Sequence, residues 1–116
     1  ENLDEEKLNQ LYFLSTVALF HDINASQIIL RFCARHDNFL AQLKIVNLHL
    51  ISDCDNFEDA IMCAIELAKK GYLNPIYDLG IKYEDDEFLA KYIMMKAKSY
   101  GSEQASIWLK NHGEQL

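Results

Sequence analysis

The chain is predicted to be all-α, a short α/α repeat stack of about seven helices with an N-terminal helix that is buried or caps the stack. Three observations carry this. Residues 57–113 read as one helix pair written nearly twice: Ala60 to Gly71 and Ala90 to Gly101 each span eleven positions, Gly71 to Leu79 and Gly101 to Leu109 each span eight, and the offset is thirty throughout. A fixed period of this size marks stacked helical units that cannot bury their apolar faces alone. Cap residues and glycines then punctuate the chain at helical lengths. Finally, 116 residues with 50% hydrophobic content, one proline and no visible linker make a single domain with a real core. Within it, 1–36 are N-terminal helices, 37–56 a degenerate repeat helix and 57–113 two helix pairs.

In chain order, Asn2 or Asp4 can cap the first helix, with acids in its first turn where they complement the dipole. From 11 to 20 that helix is apolar on nearly every side, so it is expected to be buried, to cover the open end of the stack, or to meet a second subunit. Asn24 followed by Gln27 is a capping-box start for a second helix through about His36. Residues 39–51 are ambiguous, because Val46, Leu48 and Leu50 alternate with Asn47 and His49 as in a strand. Shifting the later unit back by thirty-four places Asp37 under Gly71, Ala41 under Pro75 and Ile45 under Leu79, a worn first repeat in helical form. The helical reading is adopted, since a lone strand would have nothing to pair with. Asp55 and Glu58 start the next helix, which runs to Lys70 and ends at Gly71; Asn74-Pro75 opens another that ends near Tyr83. The acidic corner Glu84-Asp85-Asp86-Glu87 begins the helix that ends at Tyr100, and Ser102 caps the last, closed by Gly113.

The run GYLNPIYDLGIKY (71–83) followed by AKYIMMKAKSYG (90–101) resembles the Sel-one-like repeat, a cousin of the tetratricopeptide repeat. Lys96, Ala97 and Gly101 match its first pattern and Leu79, Gly80 and Tyr83 its second, with clear coverage of 60–113. Pro75 and Lys110 depart from the family's alanine and glycine, and the loop between paired helices is shortened to the acidic corner. The resemblance implies a right-handed solenoid. Ala60, Ala64, Ala90, Ala97 and Ala105 let helices approach, Gly80 removes a Cβ at a crossing, and Leu79, Leu109, Tyr83 and Trp108 fill the space between layers.

Composition narrows the function. A formal charge of −7 argues against direct binding of nucleic acid, which needs clustered Lys and Arg, and favours basic protein partners; the plainer reading of the charge is solubility. Cys33, Cys54 and Cys63, an odd set without a CxxC pair, fit buried hydrophobes in a reducing cytoplasm. The apolar run 11–20 is too short to span a bilayer and follows acids rather than bases, so neither a membrane helix nor a signal peptide fits. His21, His36, His49 and His112 have no Ser or Cys beside them in a nucleophile motif, and satisfied histidines are the commoner case. Cys33 and His36 could share a helix face and hold zinc with Cys54 or Cys63, but closed zinc sites bring paired ligands from each segment. The acidic corner lacks the glycine and spaced oxygens of a calcium loop and reads as a solvated helix start. No phosphate-binding loop is present. No enzyme activity, cofactor or metal is therefore expected.

What remains is recognition. The resemblance implies a protein-binding scaffold whose concave surface is lined by the first helix of each pair, here 39–51, 75–83 and 103–112. Residues there not claimed by the core are Tyr77, Asp78, Lys82, Gln104, Ile107 and Asn111, flanked by Asp53, Asp55, Glu84, Asp85, Asp86 and Glu87. Aromatic anchors ringed with negative charge suit a basic surface. The sharper expectation is a small acidic inhibitor or immunity protein that neutralises a basic toxin such as a nuclease. The alternative is an adaptor or regulatory scaffold in a larger bacterial-type assembly, self-associating as a homodimer through its apolar first helix.

Overall fold

The computed structural model describes residues 4–18, 22–52 and 57–113. Among these there are seven helices and no strand: α1 (Glu5–Ala18), α2 (Ile23–Arg35), α3 (Phe39–Ile51), α4 (Phe57–Lys69), α5 (Asn74–Lys82), α6 (Glu87–Ser99) and α7 (Glu103–Asn111). Each helix packs on the next, and short connections make neighbours antiparallel. Contacts also skip one helix, α1 to α3, α3 to α5 and α4 to α6. The result measures 47 × 28 × 17 Å with a radius of gyration of 15.4 Å, against about 13 Å for an ordinary domain of this length. The longest dimension is nearly three times the shortest.

The repeat is written most plainly in the helix ends. Asp37, Gly71 and Gly101 have φ of 68°, 96° and 105°. After each, the next residue's amide reaches back to the carbonyl five positions earlier: Asn38 to Cys33, Tyr72 to Leu67 and Ser102 to Ala97. This satisfies carbonyls that a terminating helix would leave orphaned. Asp37 and Gly71 thus share one helix-ending geometry, and Asp37 is the described non-glycine residue in the left-handed region. Lys70 ties two of these ends together, pairing with Asp37 Oδ1 at 3.0 Å and donating to Gln42 Oε1 at 2.9 Å. The buried Gln42 amide donates in turn to the Ala34 carbonyl at 3.1 Å.

The ambiguous segment 39–51 is a helix. Asn38 accepts from the Ala41 amide at 2.9 Å, and Ala41, Gln42, Ile45, Val46 and His49 are buried at helical spacing. The apolar alternation is outvoted by this cap and by neighbours on both sides. At α1, Asp4 accepts from the Lys7 amide at 2.8 Å, whereas Asn2 lies outside the described residues. Ser102 caps α7 as expected, and within the acidic corner it is Asp86 that caps α6.

Three expectations need correction. The second helix starts at Ile23, because Asp22 rather than Asn24 is its cap and accepts from the amides of both Asn24 and Ala25. A carboxylate serving two orphan amides fixes the start two residues earlier. Asn74 does not cap α5: it is the first helical residue, after Leu73, which makes no side-chain cap bond. Pro75 in the first turn removes one of the donors that a cap would serve. Of the three alternatives offered for the apolar run 11–20, full burial does not hold for the described part of α1. Leu8 and Ser15 face inward and Leu11 and Tyr12 pack on the core, but Phe13, Leu14 and Val17 are each more than half exposed. Among the described residues, α1 packs on α2 and more lightly on α3. Residues 19–21, and the start at Asp55, lie outside the described residues.

The core is a continuous band of small and branched side chains. Ala60, Ala64, Ala90, Ala97 and Ala105 are buried among Leu67, Ile76, Leu79, Ile93, Met94 and Leu109. Alanines permit close helix approach and the larger residues fill the remaining space.

Candidate protein-recognition surfaces

Several acids expected to face a partner are held by the protein itself. Glu84 accepts the Trp108 indole N–H at 3.0 Å and lies 3.9 Å from His112 Nε2, which fastens α7 to the α5–α6 corner. Asp86 accepts from the Leu89 amide at 3.2 Å as a helix cap, and Glu87 pairs with Lys91 at 3.1 Å across one turn. Asp85 is exposed with no such role. On α5, Asp78 is exposed on the rim and partial burial raises its carboxyl above the usual range. Lys82 is half-buried one turn later. Tyr77, expected to be free of the core, is half-buried against it, and this is a correction to the reading of that face. Gln104, Ile107 and Asn111 are exposed on α7 at spacings of three and four, hence along one stripe. Asp53 and Asp55 lie outside the described residues.

Among the described residues, the histidines and cysteines sit in structural surroundings. His49, 2% exposed, hydrogen-bonds through Nε2 to the Tyr83 hydroxyl at 2.5 Å beside the ring of Phe57. This joins α3, α4 and α5. His112 stacks on Trp108 at 3.8 Å, and His36 lies against Phe32 at 4.3 Å. Cys33 Sγ lies 3.6 Å from the Leu8 carbonyl, and desolvation raises its thiol pKa. Desolvation pushes Cys63 up to about 12, a protonated and inert thiol. Cys54 and His21 lie outside the described residues, among which no group of three or more His, Cys, Asp or Glu side chains is placed to hold a metal. No helix of the described residues is long and apolar enough to cross a membrane.

Three surfaces instead present large apolar side chains to solvent. The first is the outer stripe of α1 already described. On α6, Phe88 is 86% exposed and stands in line with the half-exposed Tyr92 and Met95, at intervals of four and three, next to Asp85 and Glu87. The third is a cleft of about 490 Å³ between α2 and α4 with α3 as its floor, lined by Arg31, Arg35, Asp59, Met62, Cys63 and Glu66 among others. Arg31 and Asp59 bridge its walls at 3.1 Å. Ile28, Met62 and Tyr92 are separated by the repeat offsets of thirty-four and thirty, so exposed bulk recurs at one register of α2, α4 and α6. That spacing is legible in the sequence, on the helices that the resemblance assigns to the outer face.

Comparison with protein-family models, with curated proteins and with solved structures gives no match.

Proposed function

We propose that this chain is a non-enzymatic protein-binding module, a right-handed stack of Sel-one-like helix hairpins. In its sharper form it is a small acidic inhibitor that neutralises a basic toxin, such as a nuclease, by occupying its cationic cleft. The observation that carries the reading is the α6 stripe: Phe88, Tyr92 and Met95 stand in solvent on a helix whose opposite face is fully buried, next to the exposed acids Asp85 and Glu87. Large rings held rigidly beside charge are what a recognition hot spot requires, because the contact area is ordered before the partner arrives. The net charge of −7 would steer a cationic partner toward this face. The direct partner is protein, not nucleic acid or membrane.

Size-exclusion chromatography with a panel of basic nuclease domains, including the product of the adjacent gene, tests the reading. Co-elution that is lost on Phe88→Ser with Tyr92→Ser supports it. Co-elution that survives those changes, or none at low salt, counts against it.

A second reading is favoured by one observation of its own. Phe13, Leu14 and Val17 form an apolar stripe on α1, which suits an adaptor docking that helix onto another component of a larger assembly.

A further inference from the structure

We infer that the chain pairs with a second copy of itself across the α2–α4 cleft, with a two-fold axis running along the cleft. An interface of this kind must be complementary to itself: whatever stands on one side of the axis meets its counterpart from the other side. The α2–α4 face has that property in its charge. Ile28 on α2 and Met62 on α4 are knobs, 66% and 61% exposed, at the edges of a cleft of about 490 Å³. Rotation about that axis sets each Ile28 over the α4 wall of the other copy and each Met62 over its α2 wall, so both leave solvent.

Charge divides along the same line. Helix α2 carries Arg31 and Arg35 and no acid, while α4 carries Glu58, Asp59 and Glu66 ahead of its single base, Lys69. The Arg31–Asp59 bridge fixes which turns of the two walls are level. At about 1.5 Å per residue, Arg35 lies about 6 Å further along α2 and Glu66 about 10 Å along α4, within reach of an arginine side chain. Rotation about the axis places α2 over α4 of the second copy, so each Arg35 meets Glu66 of the other. Among the described residues Arg35 has no ion pair, and Glu66 has only the i,i+3 contact to Lys69. The sequence suggested α1 as the self-association face, but residues 8–18 contain no charged side chain to set a register. This inference uses neither the α6 stripe nor the acidic corner, so it stands apart from the basic-partner reading.

Sedimentation equilibrium on the full chain over a concentration series tests it. The wild type is expected to dimerise reversibly, and Arg35→Glu and Glu66→Arg are each expected to weaken the dimer by at least about tenfold, since like charges then face each other twice. An equimolar mixture of the two variants restores both contacts and is expected to return dimerisation to near the wild-type level. Helical circular dichroism checks that each variant folds. A wild type that stays monomeric at about 0.5 mM, variants that dimerise normally, a mixture that stays monomeric, or a dimer abolished only by Phe13→Ser with Val17→Ser would each overturn the assignment.

Discussion

A Cβ on Gly80 would stand 2.6 Å from Cε and 2.9 Å from Sδ of Met94, a side chain that is fully buried. The glycine is where α5 crosses α6, and the methionine occupies the space that its missing side chain leaves.

Two opposed effects decide the outcome of Gly80→Ala. The better helix former contributes about 0.5–1 kcal/mol, while overpacking a full core costs about 1–3 kcal/mol. The net expectation is destabilisation by about 1 kcal/mol, read as a melting point lower by about 3–6 °C. Met94→Leu, which shortens the reach of the side chain, should cost less in the Gly80→Ala background than alone. Strict additivity in that double-mutant cycle would show that the two residues do not share the crossing.

Stability at acid pH should depend on Asp37. The hydrogen bond from Lys70 holds its carboxyl below the ordinary range, reinforced by Gln42 and by the charge of Lys70. A depressed folded pKa contributes stability above the unfolded value and loses it as pH falls through the folded one. Because the carboxylate is well exposed, Asp37→Asn should cost only about 0.2–1 kcal/mol at neutral pH. That gap should close below about pH 4 and in high salt. Asp37→Ala should be worse by about 1–2 kcal/mol, since alanine tolerates a positive φ poorly. Urea titrations of the three proteins from pH 7 to pH 3 give the comparison.

Equivalent caps should not be equally important. Ser102 accepts from the Ala105 amide at 3.1 Å, and Ser102→Ala should cost about 1 kcal/mol. Asn38 is buried and does more, for it also donates to Asn9 Oδ1 at 2.8 Å and joins α1 to the start of α3. Asn38→Ala should cost about 2–3 kcal/mol, because it removes a cap and strands a polar partner. Equal losses in chemical denaturation would contradict this order.

Glu84 should behave as a structural acid. With Glu84→Ala the indole N–H of Trp108 loses its acceptor, for an expected cost of about 0.5–1.5 kcal/mol. The single tryptophan makes this visible, as a red-shifted emission when α7 loosens. Glu84→Gln, which keeps an acceptor oxygen, should leave the spectrum close to wild type.

Much of the helix punctuation was legible because its causes are local. Gly71, Gly101 and Ser102 act through their own backbone or side chain, and their spacing exposed the repeat. Register alone placed Asp37 under Gly71, and its left-handed φ went unread although aspartate is among the few non-glycine residues that adopt it. The start of α2 was misplaced because two acceptable caps, Asp22 and Asn24, stand two residues apart and the choice depends on how α1 leads in. The surfaces were harder to read. Four neighbouring acids look alike in sequence, and only the positions of Trp108, Leu89 and Lys91 show that Glu84, Asp86 and Glu87 already have roles. Likewise the exposure of Phe88 and Met62 depends on which helix lies across each face.

The central claim, that recognition of a cationic protein is this chain's task, is tested most directly by calorimetric titration against a basic nuclease domain at about 50 and about 300 mM salt. The expected result is a one-to-one complex per chain that weakens at least about tenfold across that range and loses most of its affinity on Phe88→Ser with Tyr92→Ser. No heat of binding at the lower salt, or an affinity indifferent to both salt and those two substitutions, would contradict it.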